Sequence, residues 1–306
     1  MDLLSRLLDL MPVSGRLDVR CHFGAPWRIE QTQAGAREMP YHVLLSGSAV
    51  LEDAHGTGVT MQAGDIVLFA AGHAHALHDG SGETPAAAEQ RLHNGLIVET
   101  NHGGGARADM LCGRFLLPAV PPQLLRDSLP ARLIVRSAPA GQAVPERLAR
   151  LIELLRDEAL EAGPGSEALV NHLSGALFAL TLRYAASADA PPRGLFAAAR
   201  HPRLQPAIDA MFDAPGQPWT LPALAALCHM SRATFARHFD DAIGRSAADV
   251  LTEIRMTLAG RMLAQGSAPV AAIGEAVGYQ SDAAFQRVFK RQVGMTPAQW
   301  RAAAHA

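Results

Sequence analysis

The chain has 306 residues, of which 49% are hydrophobic, so it is long enough to bury more than one core. It has no run of about 18 uninterrupted apolar residues, which excludes a hydropathic membrane span, and its three cysteines are too few and too scattered for a zinc knuckle or a disulfide scaffold. The formal net charge of -2 excludes a uniformly basic nucleic-acid binder, yet residues 201–306 carry 10 Lys plus Arg against 8 acids and hold the single lysine, Lys290.

The opening MDLLSRLLDLMP has neither the basic leader nor the small-residue cleavage site of a secretory signal. It reads as a short amphipathic helix stopped at Pro12, and the expected location is the cytoplasm. From residue 15 to about 140, apolar residues alternate in the strand manner between Gly-rich breaks, in YHVLLSGSAVLE, GVTMQAGDIVLFAAGHAHALH, RLHNGLIVET and DMLCGRFLL. Short strands at this spacing predict an antiparallel barrel or sandwich. The polar or Gly-rich segments 79–90 and 100–109 read as loops. His73, His75 and His78 cluster here, and on a strand His73 and His75 would share one face. A weak zinc site and a set of loop and rim histidines are both open readings of that cluster.

From Pro145 the period changes. PERLARLIELLRDEALEAG aligns Leu148, Leu151, Ile152, Leu154 and Leu155 on one helical stripe, and SEALVNHLSGALFALTLRYAA does the same through Leu169, Leu173, Leu177, Leu180 and Tyr184. GPGS at 163–166 turns the two into a helical hairpin with Ser166 as candidate N-cap. The width of the apolar stripe favours a dimerisation element over simple packing on the barrel. Residues 187–200 mix Ala, Pro and Gly without period and read as a linker.

Beyond the linker the chain repeats itself. A shift of 50 positions pairs Ala226 with Ala276, Ser231 with Ser281, Ala233 with Ala283, Phe235 with Phe285, Arg237 with Arg287, Phe239 with Phe289 and Gly244 with Gly294. Ser231 and Ser281 stand where an N-cap is needed, the paired phenylalanines are four apart and face a core, and the arginines lie between them on the outer side. Gly244 and Gly294 terminate the helices. Upstream, LPALAALCHM and VAAIGEAVGYQ each supply a short helix and a turn, with Thr220 as a cap and Pro269 as an N1 proline. The pattern predicts two helix-turn-helix units, in which the second helix enters the major groove, rather than two ordinary helical hairpins. ADVLTEIRMTLAGRMLAQG between them predicts a spacer helix of about 17 residues, roughly 25 Å long, which would let the two units read neighbouring turns of one duplex.

Residues 201–306, above all AAIGEAVGYQSDAAFQRVFKRQVGMTPAQWR, resemble the C-terminal DNA-binding domain of the AraC/XylS family of bacterial transcription regulators. The resemblance implies seven helices, a double-stranded promoter site and contact with RNA polymerase. By matching position, base reading falls to Arg232, Ala233, Thr234 and Arg237 in the first unit and to Gln280, Asp282, Ala283, Gln286 and Arg287 in the second. Arginine recognises guanine and glutamine recognises adenine through paired hydrogen bonds. Ser231, Ser281, Lys290 and Arg291 are placed for phosphates, and His238 is either a phosphate contact or a solvated surface histidine. Asp282 either complements the helix dipole or accepts from cytosine.

GDIVLFAAGHAHALHD, with its turn at Gly64 and Asp65 and its histidine at His75, resembles the second cupin motif, and YHVLLSGSAVLE the first strand pair around Gly47. With CHFGAPW and LCGRF, the N-terminal region resembles the cupin-type effector domain of a subset of AraC-family regulators. The rival is a metal-dependent cupin enzyme with a helical appendage, which would present His-x-His and a following Glu on the first strand; this chain has only His42 there. The expectation is therefore no enzyme, no cofactor and no resident metal. The subset includes regulators that respond to reactive chlorine or other oxidants, and Cys21 and Cys112 each lie beside one of its diagnostic segments. The resemblance implies a thiolate oxidised and then captured by a second thiol, with His42 and His75 as further effector candidates and His22 as a neighbour favouring the Cys21 thiolate. The bland reading keeps both cysteines as small buried hydrophobes, and Cys228 as core.

The expected fold class is two-domain α+β: an N-terminal antiparallel β cupin-like barrel (1–140), a helical hairpin for dimerisation (141–186), a linker (187–200) and a C-terminal all-α double helix-turn-helix (201–306). The expected function is a DNA-binding transcription regulator, an activator, controlled by a small ligand or by cysteine oxidation. Its partners are promoter DNA, RNA polymerase, a small-molecule or oxidant effector and a second copy of itself, with no membrane.

Overall fold

The computed structural model describes residues 2–54, 56–93, 95–136, 146–160, 163–187, 194–198 and 201–305. The chain opens with α1 (Leu3–Leu10), followed by β1 (Ser14–Gly24), β2 (Arg28–Gln31), β3 (Glu38–Ser46), β4 (Ser48–Asp53) and β5 (Gly56–Gln62). Next come β6 (Ile66–Leu68), β7 (His75–His78), β8 (Ala88–His93), β9 (Leu96–Asn101), β10 (Arg107–Leu116), α2 (Gln123–Arg126) and β11 (Leu133–Val135). The helices α3 (Glu146–Leu160), α4 (Ser166–Ser187), α5 (Leu195–Ala198), α6 (Gln205–Asp213), α7 (Leu221–Leu227) and α8 (Arg232–Ile243) continue the chain. The last four are α9 (Ala247–Gln265), α10 (Val270–Ala276), α11 (Asp282–Val293) and α12 (Pro297–Ala304). Contacts divide the molecule into two units: Val13–Leu117 with Ala131–Ala185, and Met1–Pro12 with Pro118–Pro130 and Ala186–Ala306.

The strand unit holds a sheet ordered β11-β6-β3-β10-β1-β9-β8 and a second ordered β2-β7-β4-β5. The pairing is antiparallel as expected, except that β9 lies parallel to β1 after the β8–β9 hairpin turns back. Period-two alternation sends Cys21, Phe23, Leu44, Val67 and Met110 of the large sheet inward against Ala49, Leu51, Met61 and Leu77 of the small one. The other face of the large sheet meets α4: the Tyr41 hydroxyl donates to Ser174 Oγ at 3.0 Å, and Phe115 packs on Phe178. The buried face of α4 runs through Val170, Ser174, Leu177, Phe178, Thr181 and Leu182, rotated from the expected leucine stripe, so that Leu169 is exposed. Ser174 on this face lets the helix approach the sheet closely at Gly15, and the Thr181 and Ser174 hydroxyls bond back to carbonyls four residues earlier.

In the helical unit, residues 201–305 form seven helices, α6 to α12, the number the family resemblance implies. The spacer α9 has 19 residues, about 28 Å at the usual rise. Leu3, Leu7 and Met11 of the N-terminal segment are buried in this unit, Arg6 pairs with Asp209 and Asp213, and Arg261 donates to the Asp9 carbonyl at 2.8 Å. Leu124 and Leu125 of α2 are buried too, and Asp127 accepts from Arg245. Of the expected linker, residues 188–193 and 199–200 lie outside the described residues, as do 141–145 at the expected start of the hairpin. Within the linker stretch, α5 forms one helical turn that buries Leu195 and Phe196.

Candidate functional site

Two constellations carry chemistry. The first is the pair of helix-turn-helix units. Ser231 caps α8 by accepting from Thr234 N at 3.2 Å, and Ser281 caps α11 by accepting from Ala284 N at 3.1 Å. Gly244 and Gly294 close the two helices in the left-handed region, at φ 79° and 85°. Phe235, Phe239, Phe285 and Phe289 are fully buried, which turns the faces between them outward. Arg232, Ala233 and Arg237 on α8 are exposed, Thr234 is half-buried, and Gln280, Asp282, Ala283, Gln286 and Arg287 are exposed at α11 together with Lys290 and Arg291. His238 is exposed as well. Other arginines of this unit hold structure: Arg245 pairs with Glu253, Arg255 donates to the carbonyls of Pro215 and Gln217, and Arg301 donates to that of Ala268.

The repeat is not one rigid shift. The reading helices correspond at an offset of 50, but α7 and α10 correspond at 49, since Leu224 and Ala225 are the buried counterparts of Ile273 and Gly274. Ala226 is therefore not the structural partner of Ala276, because the second turn is one residue longer. The first turn reverses at His229, a non-glycine residue at φ 52°, and the second at Gly278, φ 92°. Pro269 is the N-cap of α10 rather than its first helical residue. Asp282 accepts from Gln286 Nε2 at 2.7 Å, so these two candidate base readers bond each other in the free protein.

The second constellation lies between the sheets of the strand unit. Val19 stands opposite Cys112 across β1 and β10, and Cys21 faces the same side two residues on, placing the two sulfurs within hydrogen-bond reach. His42 stands opposite Cys112 across β10 and β3, its Nδ1 3.0 Å from the sulfur. Its Nε2 is 2.7 Å from His75 Nε2, and His75 Nδ1 is 2.8 Å from the His73 carbonyl oxygen. His42 and His75 are buried, and His75 stacks on Phe69 with ring centroids 3.7 Å apart. The hydrogen bond from Cys21, reinforced by His42, holds the Cys112 thiol well below its ordinary range, at about 5, despite its burial. The same bond and burial push Cys21 up, so Cys21 keeps its proton and donates it to the Cys112 sulfur. Burial and the neighbouring His42 push His75 down to about 4. A cavity of about 610 Å³ opens on this group, lined by His42 and Cys112 and walled by the Arg114 guanidinium, which bridges Asp18 and Glu38.

Alternation along β1 corrects one expectation: His22 points to the opposite face from Cys21, where it meets Asp109 at 3.3 Å. His42, not His22, is the imidazole beside a cysteine sulfur. The histidine cluster also separates, because His73 lies before the strand, His75 turns inward, and His78 turns out to Glu52 and the Gly80 amide. Among the described residues no group of three or more His, Cys, Asp or Glu is arranged to hold a metal ion. Cys228 is buried, its sulfur 3.9 Å from the Leu204 carbonyl. The cavity wall of Asp18, Glu38 and Arg114 escaped the sequence reading, since three charges spread over β1, β3 and β10 leave no local signal.

A model of the cupin family matches residues 2–187, and one of a helix-turn-helix domain matches 224–303. The chain is 31% identical over 302 residues to the "RCS-specific HTH-type transcriptional activator RclR" of Escherichia coli (strain K12), covering 98% of this chain and 97% of that one. It is 28% identical over 306 residues to the "HTH-type transcriptional regulator MtrA" of Neisseria gonorrhoeae, covering 98% of each. Among solved structures, the DNA-binding domain of AdpA in complex with a target DNA is similar at 31% identity over 33% of this chain and 91% of that one, with a TM-score of 0.32. The chain belongs to the AraC family of transcription regulators. Its AraC-type domain carries the two units described above and its cupin domain carries the thiol–imidazole group. Among the described residues of this AraC-family regulator no helix is long and apolar enough to cross a membrane.

Proposed function

We propose that this regulator is a cytoplasmic homodimer that activates transcription when an oxidant joins Cys112 to Cys21. The observation that carries the reading is the Cys112 sulfur itself: it faces a cavity of about 610 Å³, is held as a thiolate, and has a protonated thiol beside it. A thiolate reached through a cavity is what an electrophilic oxidant attacks, and a neighbouring thiol is what captures the product. The Escherichia coli relative bears the name of an RCS-specific activator, which supports reactive chlorine as the oxidant class. Base reading by Arg232, Arg237, Gln280 and Arg287, phosphate contact by Lys290 and Arg291, and recruitment of RNA polymerase complete the reading. Leu154, Leu160 and Leu169, exposed on α3 and α4, form the dimer surface. The protein works as a regulator and not as an enzyme, since both nitrogens of His42 are engaged by Cys112 and His75 and, among the described residues, no carboxylate completes a facial ligand set.

Promoter footprinting and run-off transcription with RNA polymerase, before and after a stoichiometric pulse of hypochlorite, test this reading. Oxidation is expected to raise transcript yield from a bound promoter in the wild type and to leave the Cys21→Ala, Cys112→Ala variant unchanged. Equal induction of that variant would remove the cysteine switch while leaving the DNA-binding assignment intact.

A further inference from the structure

We infer that His42 is the proton-transfer residue for Cys112 in this chain, and that His75 is a positioning residue that fixes the tautomer of His42. The inference rests on the sensor reading of the cysteine pair and adds its acid–base machinery. The hydrogen-bond chain assigns every proton. Among the described residues the partner of His75 Nδ1 is the His73 carbonyl oxygen, which accepts, so Nδ1 carries the hydrogen and Nε2 is a bare acceptor. His42 Nε2 therefore donates to His75 Nε2 across 2.7 Å, which leaves His42 Nδ1 facing the Cys112 sulfur at 3.0 Å to exchange one proton with it. This is the arrangement of a nucleophile, a base and an orienting third group, built here with imidazole as the orienter.

Buried His75 resists protonation, so it stays an acceptor while His42 cycles. Phe69 packs against both rings and holds the pair in one orientation. The other titratable groups acting on the chain are Cys21 and Glu99 at Cys112, Asp109 at Cys21, and Asp53 at His75. Cys21, Glu99 and Asp109 act on the sulfurs, and Asp53, opposite His75 across β4 and β7, acts on that ring as a charge, so the proton exchanged at His42 Nδ1 is the one it shares with Cys112.

With a hypohalous acid, the step balances. The Cys112 thiolate attacks the halogen, a sulfur–halogen bond forms and the oxygen–halogen bond breaks, and the departing hydroxide takes the proton from His42 Nδ1 and leaves as water. The Cys21 sulfur then displaces halide from Cys112, and its proton passes to the vacated His42 Nδ1. Two thiols become one disulfide with loss of two electrons, and the halogen of the acid is reduced to halide by those two electrons.

The test measures Cys112 alkylation by iodoacetamide against pH in the full-length protein, read by mass spectrometry of the Cys112 peptide, and needs no oxidant. In His42→Asn, which cannot take up a proton, the midpoint rises and the rate at pH 6 falls about tenfold or more, as expected when the midpoint climbs by about two pKa units or more from about 5. His75→Leu removes the acceptor and lowers the rate severalfold, whereas His75→Gln, whose amide oxygen accepts from His42 Nε2, stays within about twofold of wild type. Should His75→Leu fail to fold, the contrast between His42→Asn and His75→Gln decides alone. Wild-type profiles in His42→Asn, or identical profiles in the two His75 variants, overturn the inference. A wild-type protein that shows the low alkylation midpoint but forms no Cys21–Cys112 disulfide with hypochlorite supports the relay and overturns the sensor reading, so the two fail separately.

Discussion

Cys21 stands two residues out of register from Cys112 across β1 and β10, with Val19 directly opposite Cys112. Diagonal neighbours of this kind sit roughly 7–8 Å apart, beyond the separation of about 4.4–6.8 Å between the α-carbons of a disulfide. The two thiols share a hydrogen bond in the reduced protein, and closing a disulfide is expected to draw the two strands past each other beside the β-bulge between Leu17 and Val19. Oxidation is expected to change amide exchange in β1 and β10 in the wild type. Cys21→Ser is expected to hold Cys112 as a sulfenic acid that dimedone traps, and Cys112→Ser to give no trapped product at Cys21. Dimedone labelling at Cys21 in the second variant would reverse the assignment of the two thiols.

His75 makes the cupin domain sensitive to acid. Its proton affinity falls from the ordinary 6.5 in the unfolded chain to about 4 in the fold, because burial and His42 oppose the charge. The unfolded state then binds more protons below pH 6.5, so stability is complete above that value, declines as the pH falls toward about 4 and levels off beneath it. Between pH 7 and pH 5 the loss from this one group is roughly 2 kcal/mol. Urea titrations at the two pH values check it, and His75→Gln is expected to show a smaller difference because it lacks the titrating ring.

Much of this was legible in the sequence, for physical reasons that differ by region. The strands around Ala49 and Met110 announce themselves by alternation, and the reading helices by phenylalanines four apart, because burial on one face imposes a fixed period. Cys21, Cys112, His42 and His75 were each identifiable as candidates, but their meeting was not. It depends on the register of β1, β10 and β3 and on the approach of β7 from the other sheet, and no local pattern encodes register between strands 33 to 91 residues apart. The expectation that His22 favours the Cys21 thiolate fails through adjacency in sequence, which in a strand places neighbours on opposite faces. The buried stripe of α4 was misplaced for the reverse reason: Ser174 and Thr181, polar by type, are buried because they satisfy their hydroxyls within the helix.

The two turns predict opposite responses to glycine. A Cβ on Gly278 would meet the Gly216 carbonyl oxygen at 2.7 Å and the Arg255 guanidinium at 2.8 Å, at φ 92°. Gly278→Ala is expected to cost about 2 kcal/mol or more, through both the clash and the left-handed backbone. His229 already occupies the left-handed region at φ 52° without glycine's freedom, so His229→Gly is expected to be neutral or to stabilise by up to about 1 kcal/mol. Thermal unfolding of the full chain separates them, and a stable Gly278→Ala would mean that the second turn relaxes in solution.

Arg237 and Arg287 occupy the same place on α8 and α11, two and two residues from the buried phenylalanines of their helices, and both are exposed. If each reads a guanine through paired hydrogen bonds, Arg237→Ala and Arg287→Ala each weaken binding to the specific promoter by about 1–3 kcal/mol and relax selection at one base position. Lys290→Ala, lost from a phosphate contact, weakens specific and nonspecific DNA alike and lowers the salt dependence by about one counterion. Gln286 behaves differently from the arginines, because its amide must leave Asp282 before it meets a base. Asp282→Ala frees that amide, so selection at the Gln286 position is expected to broaden or change while affinity for nonspecific DNA rises through the loss of one negative charge near the backbone. Competition binding against scrambled duplex at two salt concentrations measures all four variants. An unchanged ratio of specific to nonspecific affinity in both arginine variants would remove these helices as the base-reading surface.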